Sequence, residues 1–161
     1  MGGVCYAGAM SVVRDRLELI DEAEANRRYG LATLLESGGN YGLHVVIIRG
    51  DIVEDDLFGD DSFFYGLGFD DVGTVVIDGD VRAREVNISD RLMCLVVRGS
   101  LVAERLLVHE TELYVVGDLQ VGWLRDVDDL ITVKGSSAIA VQVGYSDKVI
   151  ARNGIPVDDE P

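Results

Sequence analysis

Leu95-Val96-Val97-Arg98-Gly99-Ser100-Leu101 decides the fold, because near-copies of it recur along the chain. Val75-Val76-Ile77-Asp78-Gly79-Asp80-Val81 precedes it, and Leu113-Tyr114-Val115-Val116-Gly117-Asp118-Leu119 and Ile131-Thr132-Val133-Lys134-Gly135-Ser136-Ser137 follow. Their glycines stand 20, 18 and 18 residues apart. A fifth copy, running from Val46 through Gly50 and Asp51 to Ile52, is separated from the others by an acidic stretch.

A finer period of six runs inside the repeat. Every sixth residue from Leu95 gives Leu101, Leu107, Leu113, Leu119, Arg125, Ile131, Ser137 and Val143; from Val97 it gives Ala103, His109, Val115, Val121, Val127, Val133, Ile139 and Tyr145. Fifteen of these eighteen positions are apolar, against twelve of thirty-six in the other four phases through residue 148. Residues i and i+2 of a strand share a face, so six residues make one short side, and three sides make an eighteen-residue coil with a glycine at one recurring corner. The spacing predicts an all-β-dominated chain wound as a triangular parallel β-solenoid, or β-helix, of four to five coils. Its corner glycines are expected at positive φ, where the missing side chain permits a sharp bend. The competing arrangement is an antiparallel sandwich of short strands, which closely spaced turn signals would also serve.

The ends of such a stack need capping. Residues 11–37 read as an amphipathic helix, with Val13, Leu17 and Ile20 at helical spacing, a stop near Gly30, and a second short turn carrying Leu31, Leu34 and Leu35. The expected organisation is a helical cap over 1–42, a solenoid over 43–150 with an acidic, glycine- and aromatic-rich insertion at 51–73, and an acidic tail over 151–161. Val96, Tyr114 and Thr132 lie one coil apart on the outer face, and this stripe is the expected seat of the N-terminal helix.

The 161 residues, 48% hydrophobic and 27% charged, suit one globular domain. Twenty-nine acidic against fourteen basic side chains leave a net charge of −15, which points away from nucleic acid and anionic membrane and towards a cationic protein partner. Twelve acidic residues and only Arg82 and Arg84 fall between Asp51 and Asp90. Two cysteines, Cys5 and Cys94, make no disulfide framework, and no basic n-region precedes the first apolar residues, so a cytoplasmic location is expected. Met10 is an alternative start.

Within the acidic interval Asp55, Asp56, Asp60, Asp61, Asp70 and Asp71 interleave with Phe58, Phe63, Phe64, Tyr65 and Phe69. Carboxylates steer a basic surface and aromatic rings anchor it, so these eleven residues form the expected partner-binding site. No metal or cofactor is expected. His109-Glu110-Thr111-Glu112 lacks the second histidine of a zinc helix, and Gly66-Leu67-Gly68 lacks the third glycine and basic surroundings of a dinucleotide loop. The chain carries no nucleophile motif. His109 falls on an inward phase of the register, as a core or corner histidine.

The repeats, of the form apolar-x-apolar-x-Gly-Asp/Ser-apolar, resemble those of bactofilins and related polymer-forming bacterial β-solenoid proteins over about residues 74–150. That resemblance implies a non-enzymatic scaffold that polymerises end to end; this chain departs from it in its helical N-terminus, acidic insertion and net charge. In size, charge and repeat it also looks like immunity partners of bacterial polymorphic toxins. The expected function is therefore a non-catalytic protein-binding solenoid, most concretely an immunity-type inhibitor of a basic toxin domain. The alternatives are a self-assembling scaffold and a hexapeptide-type acyltransferase using His109. Homo-oligomerisation is left open.

Overall fold

A computed structural model describes residues 16–35, 44–58, 72–89, 92–127, 130–144 and 149–151. The chain alternates between two sheets. One holds, in spatial order, β1 (Leu17–Ile20), β2 (His44–Arg49), β4 (Val72–Asp78), β6 (Cys94–Val97), β8 (Glu112–Val115), β10 (Leu130–Val133) and β12 (Val149–Ala151). The other holds β3 (Ile52–Leu57), β5 (Val81–Ser89), β7 (Leu101–His109), β9 (Leu119–Val127) and β11 (Ser137–Gly144), stacked in sequence order. Every pairing within the stack is parallel, so Leu95 lies over Leu113 and Leu113 over Ile131. Parallel pairing between repeats rules out the antiparallel sandwich. The fold is a parallel β-solenoid of about three turns, the glycine-to-glycine intervals from Gly79 to Gly135.

Each regular turn presents three inward pairs to one continuous core. Leu95 and Val97 come from the short strand, Leu101 and Ala103 from the first half of the long strand, and Leu106 and Val108 from its second half; all six are buried. The third pair departs from the sixfold register, which placed Leu107 and His109 inward. Both are only half-buried. The reason is the bend inside β7, where Glu104 and Arg105 are exposed in succession and no turn residue intervenes. Two consecutive outward residues invert the alternation, so the next inward side chain comes five residues after Leu101 instead of six, and the connection to β8 restores the total.

The glycine file aligns, but positive φ does not explain it. Gly50 alone among the corner glycines has positive φ, at 91°. At the others the constraint is proximity: a Cβ on Gly79 would lie 2.5 Å from the Gly50 carbonyl oxygen, and one on Gly117 2.7 Å from that of Gly99. The backbones approach because Gly99 N–H donates to Gly79 O (2.9 Å), Gly117 to Gly99 (2.8 Å) and Gly135 to Gly117 (3.0 Å). The residue after each glycine completes the corner. Asp51 Oδ1 accepts from Asp80 N–H, Asp80 Oδ1 from Ser100 N–H, Ser100 Oγ from Asp118 N–H and Asp118 Oδ1 from Ser136 N–H, at 2.8–3.0 Å. This is why Asp or Ser follows each glycine of the repeat.

At the N-terminal end the helix expected to run from residue 11 to about Gly30 is, in its described part, a strand followed by a short helix, and a second one-turn helix stands where the second turn was expected. Leu17–Ile20 pairs antiparallel with β2, because the open edge of that strand offers backbone partners that outweigh the helical spacing of Leu17 and Ile20. The alternation serves both sides: Leu17 packs on the core and Ile20 faces outward under the helices. Asp21 caps helix α1 (Glu22–Tyr29) by accepting from Glu24 N–H (2.8 Å), and Gly30, at φ 64°, ends it. After the one-turn helix α2 (Leu31–Leu34) the chain leaves the described residues at Leu35. Ala25, Leu31 and Leu35 cover the outer side chains Val45, Ile47, Val76, Cys94, Val96 and Tyr114, so the helices lie along the sheet face. Tyr29 is held between Arg28 and Arg98, whose guanidinium carbons stand 5.3 and 5.1 Å from its ring centre.

Two substitutions test this geometry in urea unfolding. Gly117→Ala forces a Cβ against backbone and is expected to cost about 1–3 kcal/mol or more. Leu106→Ala is expected to cost about 2–5 kcal/mol and Leu107→Ala clearly less; the reverse ranking would restore the uniform sixfold register.

Candidate functional site

The carboxylates of the glycine corner and of the mid-strand bend have different partners. At the glycine corner Asp51, Asp80 and Asp118 accept backbone amides from the next turn. At the mid-strand bend they meet arginines. Asp55 receives Arg84 through Nε (3.0 Å) and Nη2 (3.4 Å), and Arg105 Nε lies 3.5 Å from Glu85 Oε1. The Arg105 guanidinium also stacks 4.7 Å above the Trp123 ring. The register explains these columns: Glu85, Arg105 and Trp123 occupy equivalent positions on successive strands. Asp55 holds the Arg84 guanidinium pKa above its ordinary value, chiefly by its hydrogen bond.

The third corner comprises the connections from the ends of β3, β5, β7, β9 and β11 to the starts of β4, β6, β8, β10 and β12. Because both sheets are parallel, these strand ends line up along one edge of the stack. The connecting segments, 58–71, 90–93, 110–111, 128–129 and 145–148, contain nine acidic residues and two basic ones, Arg91 and Lys148.

Of the eleven expected binding residues, Asp55, Asp56 and Phe58 fall among the described residues. Asp55 and Asp56 belong to strand β3, not to an insertion beginning at 51, because Ile52–Leu57 pairs in register with β5. Asp55 is exposed but engaged with Arg84. Phe58, expected as an anchoring ring, is 4% exposed and belongs to the core cluster, with φ at 64°. Asp60, Asp61, Phe63, Phe64, Tyr65, Phe69, Asp70 and Asp71 lie outside the described residues. The arginine and tryptophan column was missed from the sequence, although its members stand 20 and 18 residues apart, the spacing of the glycines.

Between the glycine corner and the bend, an open groove of about 840 Å³ runs along the second sheet, lined by Val53, Arg82, Val102, Gln120 and Ala138 with the bend residues beside them. Its lining contains no histidine, cysteine, serine or tyrosine. His109 ends β7 and His44 opens β2, two turns away. Among the described residues no three His, Cys, Asp or Glu side chains gather as metal ligands, and no helix is long and apolar enough to cross a membrane.

One carboxylate occupies a core position. Glu54 stands at the first strand's equivalent of Ala83, Ala103 and Val121, and burial raises its pKa while nearby Arg16 opposes the shift. A folded-state pKa above the unfolded one means that the ionised group weakens the fold once the pH exceeds the folded value. Protonation at lower pH removes that penalty. Glu54→Gln should therefore melt higher than the native chain at pH 7, and the gap should close as the pH falls through the glutamate range. A gap that widened on acidification would contradict this placement. No family model, curated protein or solved structure matches the chain.

Proposed function

We propose that the protein is a non-catalytic binding module of a bacterial cytosol whose acidic corner receives a cationic protein surface, most concretely as an immunity-type inhibitor of a basic toxin domain. The observation that carries this reading is the segregation of charge. Carboxylates at the glycine corner hold backbone amides, Asp55 and Glu85 at the bend meet arginines, and the connections at the third corner have nine acids for two bases. Parallel stacking brings these connections to one edge, where their fields add. Asp60, Asp61, Asp70 and Asp71, with Phe63, Phe64, Tyr65 and Phe69, belong to the longest connection and supply both the steering charge and the anchors. Asp128 and Asp129 belong to the connection three turns further on.

In the same reading β2–β3 and β10–β11 count as further rungs, four to five in all, and residues 1–42 act as the N-terminal helical cap. The bactofilin-like scaffold is the second reading, favoured by a second sheet whose outermost strand, β11, has no strand beyond it among the described residues. It expects long filaments.

The test is co-purification of the tagged full chain with a basic protein from its own host, followed by titration of the purified pair. Binding should weaken about tenfold or more as salt rises from low to physiological levels and screening shortens the reach of the charges. Asp60→Lys with Asp61→Lys should abolish it. Failure to retain any basic protein, or retention unaffected by these reversals, would refute the reading.

A further inference from the structure

The first sheet carries an apolar cluster on each face, and the two clusters share no buried side chain. The inner cluster is the solenoid core. The outer one, with Val76, Cys94, Val96 and Tyr114, is covered by Ala25 of α1 and by Leu31 and Leu35 around α2. This cover is lightly held. Of the eight residues of α1 only Ala25 is buried. Its other described ties lie at the surface, where Glu18 of β1 accepts from Arg28 (2.8 Å) and the Tyr29 ring lies against Arg98, just past β6. Exposed pairs of this kind contribute little. The two helices brace each other instead: Asn26 accepts from Gly30 N–H through its backbone oxygen and from Ala32 N–H through Oδ1, each at 2.9 Å. The strands beneath are held independently, because β4 pairs with β2 and β6, β6 pairs with β4 and β8, and their inward side chains belong to the other cluster.

We propose that α1 and α2 form a lid that lifts from the first sheet as one unit while β1 and both sheets stay folded, uncovering the stripe of Val76, Cys94, Val96 and Tyr114. Lifting the lid gives up only its three buried side chains and the Tyr29 contacts, whereas global unfolding must also empty the solenoid core. A detached helix of eight residues does not persist in water, so the lid melts as it leaves the sheet. β1 stays behind, because Leu17 packs in the solenoid core and Leu17–Ile20 keeps its ladder with β2. Val76, Val96 and Tyr114 are register partners on adjacent strands, so the lid governs whether a continuous apolar surface of this acidic chain is presented. The lid shares no residue with the acidic corner, and either reading can fail without the other.

Cys94, fully buried beneath the closed lid, reports the opening. In the full chain carrying Cys5→Ser it is the one thiol. Its labelling by DTNB without denaturant should run about a hundredfold or more faster than the global unfolding equilibrium, measured in urea, permits. Tyr29→Ala should speed labelling about tenfold while the strand signal in circular dichroism is retained. Leu106→Ala, in the solenoid core, should lower the urea midpoint and leave the labelling rate unchanged; if that variant does not fold, Ile88→Val asks the same question in the same core. In hydrogen exchange the amides of residues 25–35 should open together, well before those of β6 and β8. Labelling no faster than global unfolding allows, labelling indifferent to Tyr29→Ala, or labelling accelerated as much by the solenoid-core substitution would each overturn the proposal. So would amides of residues 25–35 that exchange only together with β6 and β8, or loss of the strand signal in Tyr29→Ala, which would make lid and solenoid a single cooperative unit.

Discussion

A glycine amide donating to the carbonyl of the glycine one turn earlier is the contact on which the stack depends. It draws the corner backbones together until no side chain fits between them, and it fixes the register of both sheets because strands of the first sheet end, and those of the second begin, at that corner. The aspartate or serine that follows is then near enough to accept the next turn's amide. Corner backbone groups that would otherwise depend on water are thereby paired along the axis. The inward leucines and valines follow as a consequence of this alignment. Once the corners coincide, side chains at equivalent positions fall into columns, and the inward columns are filled mostly by apolar residues on successive turns.

The same periodicity sorts charge. Residues equivalent in consecutive turns are neighbours, so a column of one sign would repel itself and a column of alternating sign is self-neutralising. Asp55 meets Arg84 and Glu85 meets Arg105 at the bend, although Asp56 stands opposite Glu85, and in the outer column of the first sheet Asp78 meets Arg98 at 3.0 Å.

The stack is also finished differently at its two ends. β1 turns back antiparallel along β2, and the short helices that follow cover the outer apolar face through Ala25, Leu31 and Leu35. Arg16 reinforces this closure, its Nη1 donating to the carbonyl oxygens of Arg49 (3.2 Å) and Asp51 (2.5 Å) beside Gly50. The ion pair of Glu18 with Arg28 ties β1 to α1. Because hydrogen bonding to Arg28 depresses the Glu18 pKa, this tie holds above the usual carboxylate range and loosens on acidification. At the C-terminal end β12 stacks on β10, and among the described residues no strand lies beyond β11 in the second sheet.

The eighteen-residue period, the glycine corner and two of the three inward pairs were legible in the sequence, because stacking demands the same residue type at the same place on each turn and therefore writes itself as repetition. Helix α1 was legible from its stop at Gly30. Leu106 and Val108 were not, since the bend at Glu104 and Arg105 shifts the alternation without a proline or glycine to announce it. Leu17–Ile20 was not either: its spacing suits a helix, and only the waiting edge of β2, some thirty residues on, makes it a strand. The fates of Asp55 and Phe58 depended likewise on distant parts of the chain, on Arg84 one turn away and on the core cluster. The sequence determined what must repeat; tertiary structure decided which backbone edges and charged groups found partners, because those partners come from other turns and follow no local pattern.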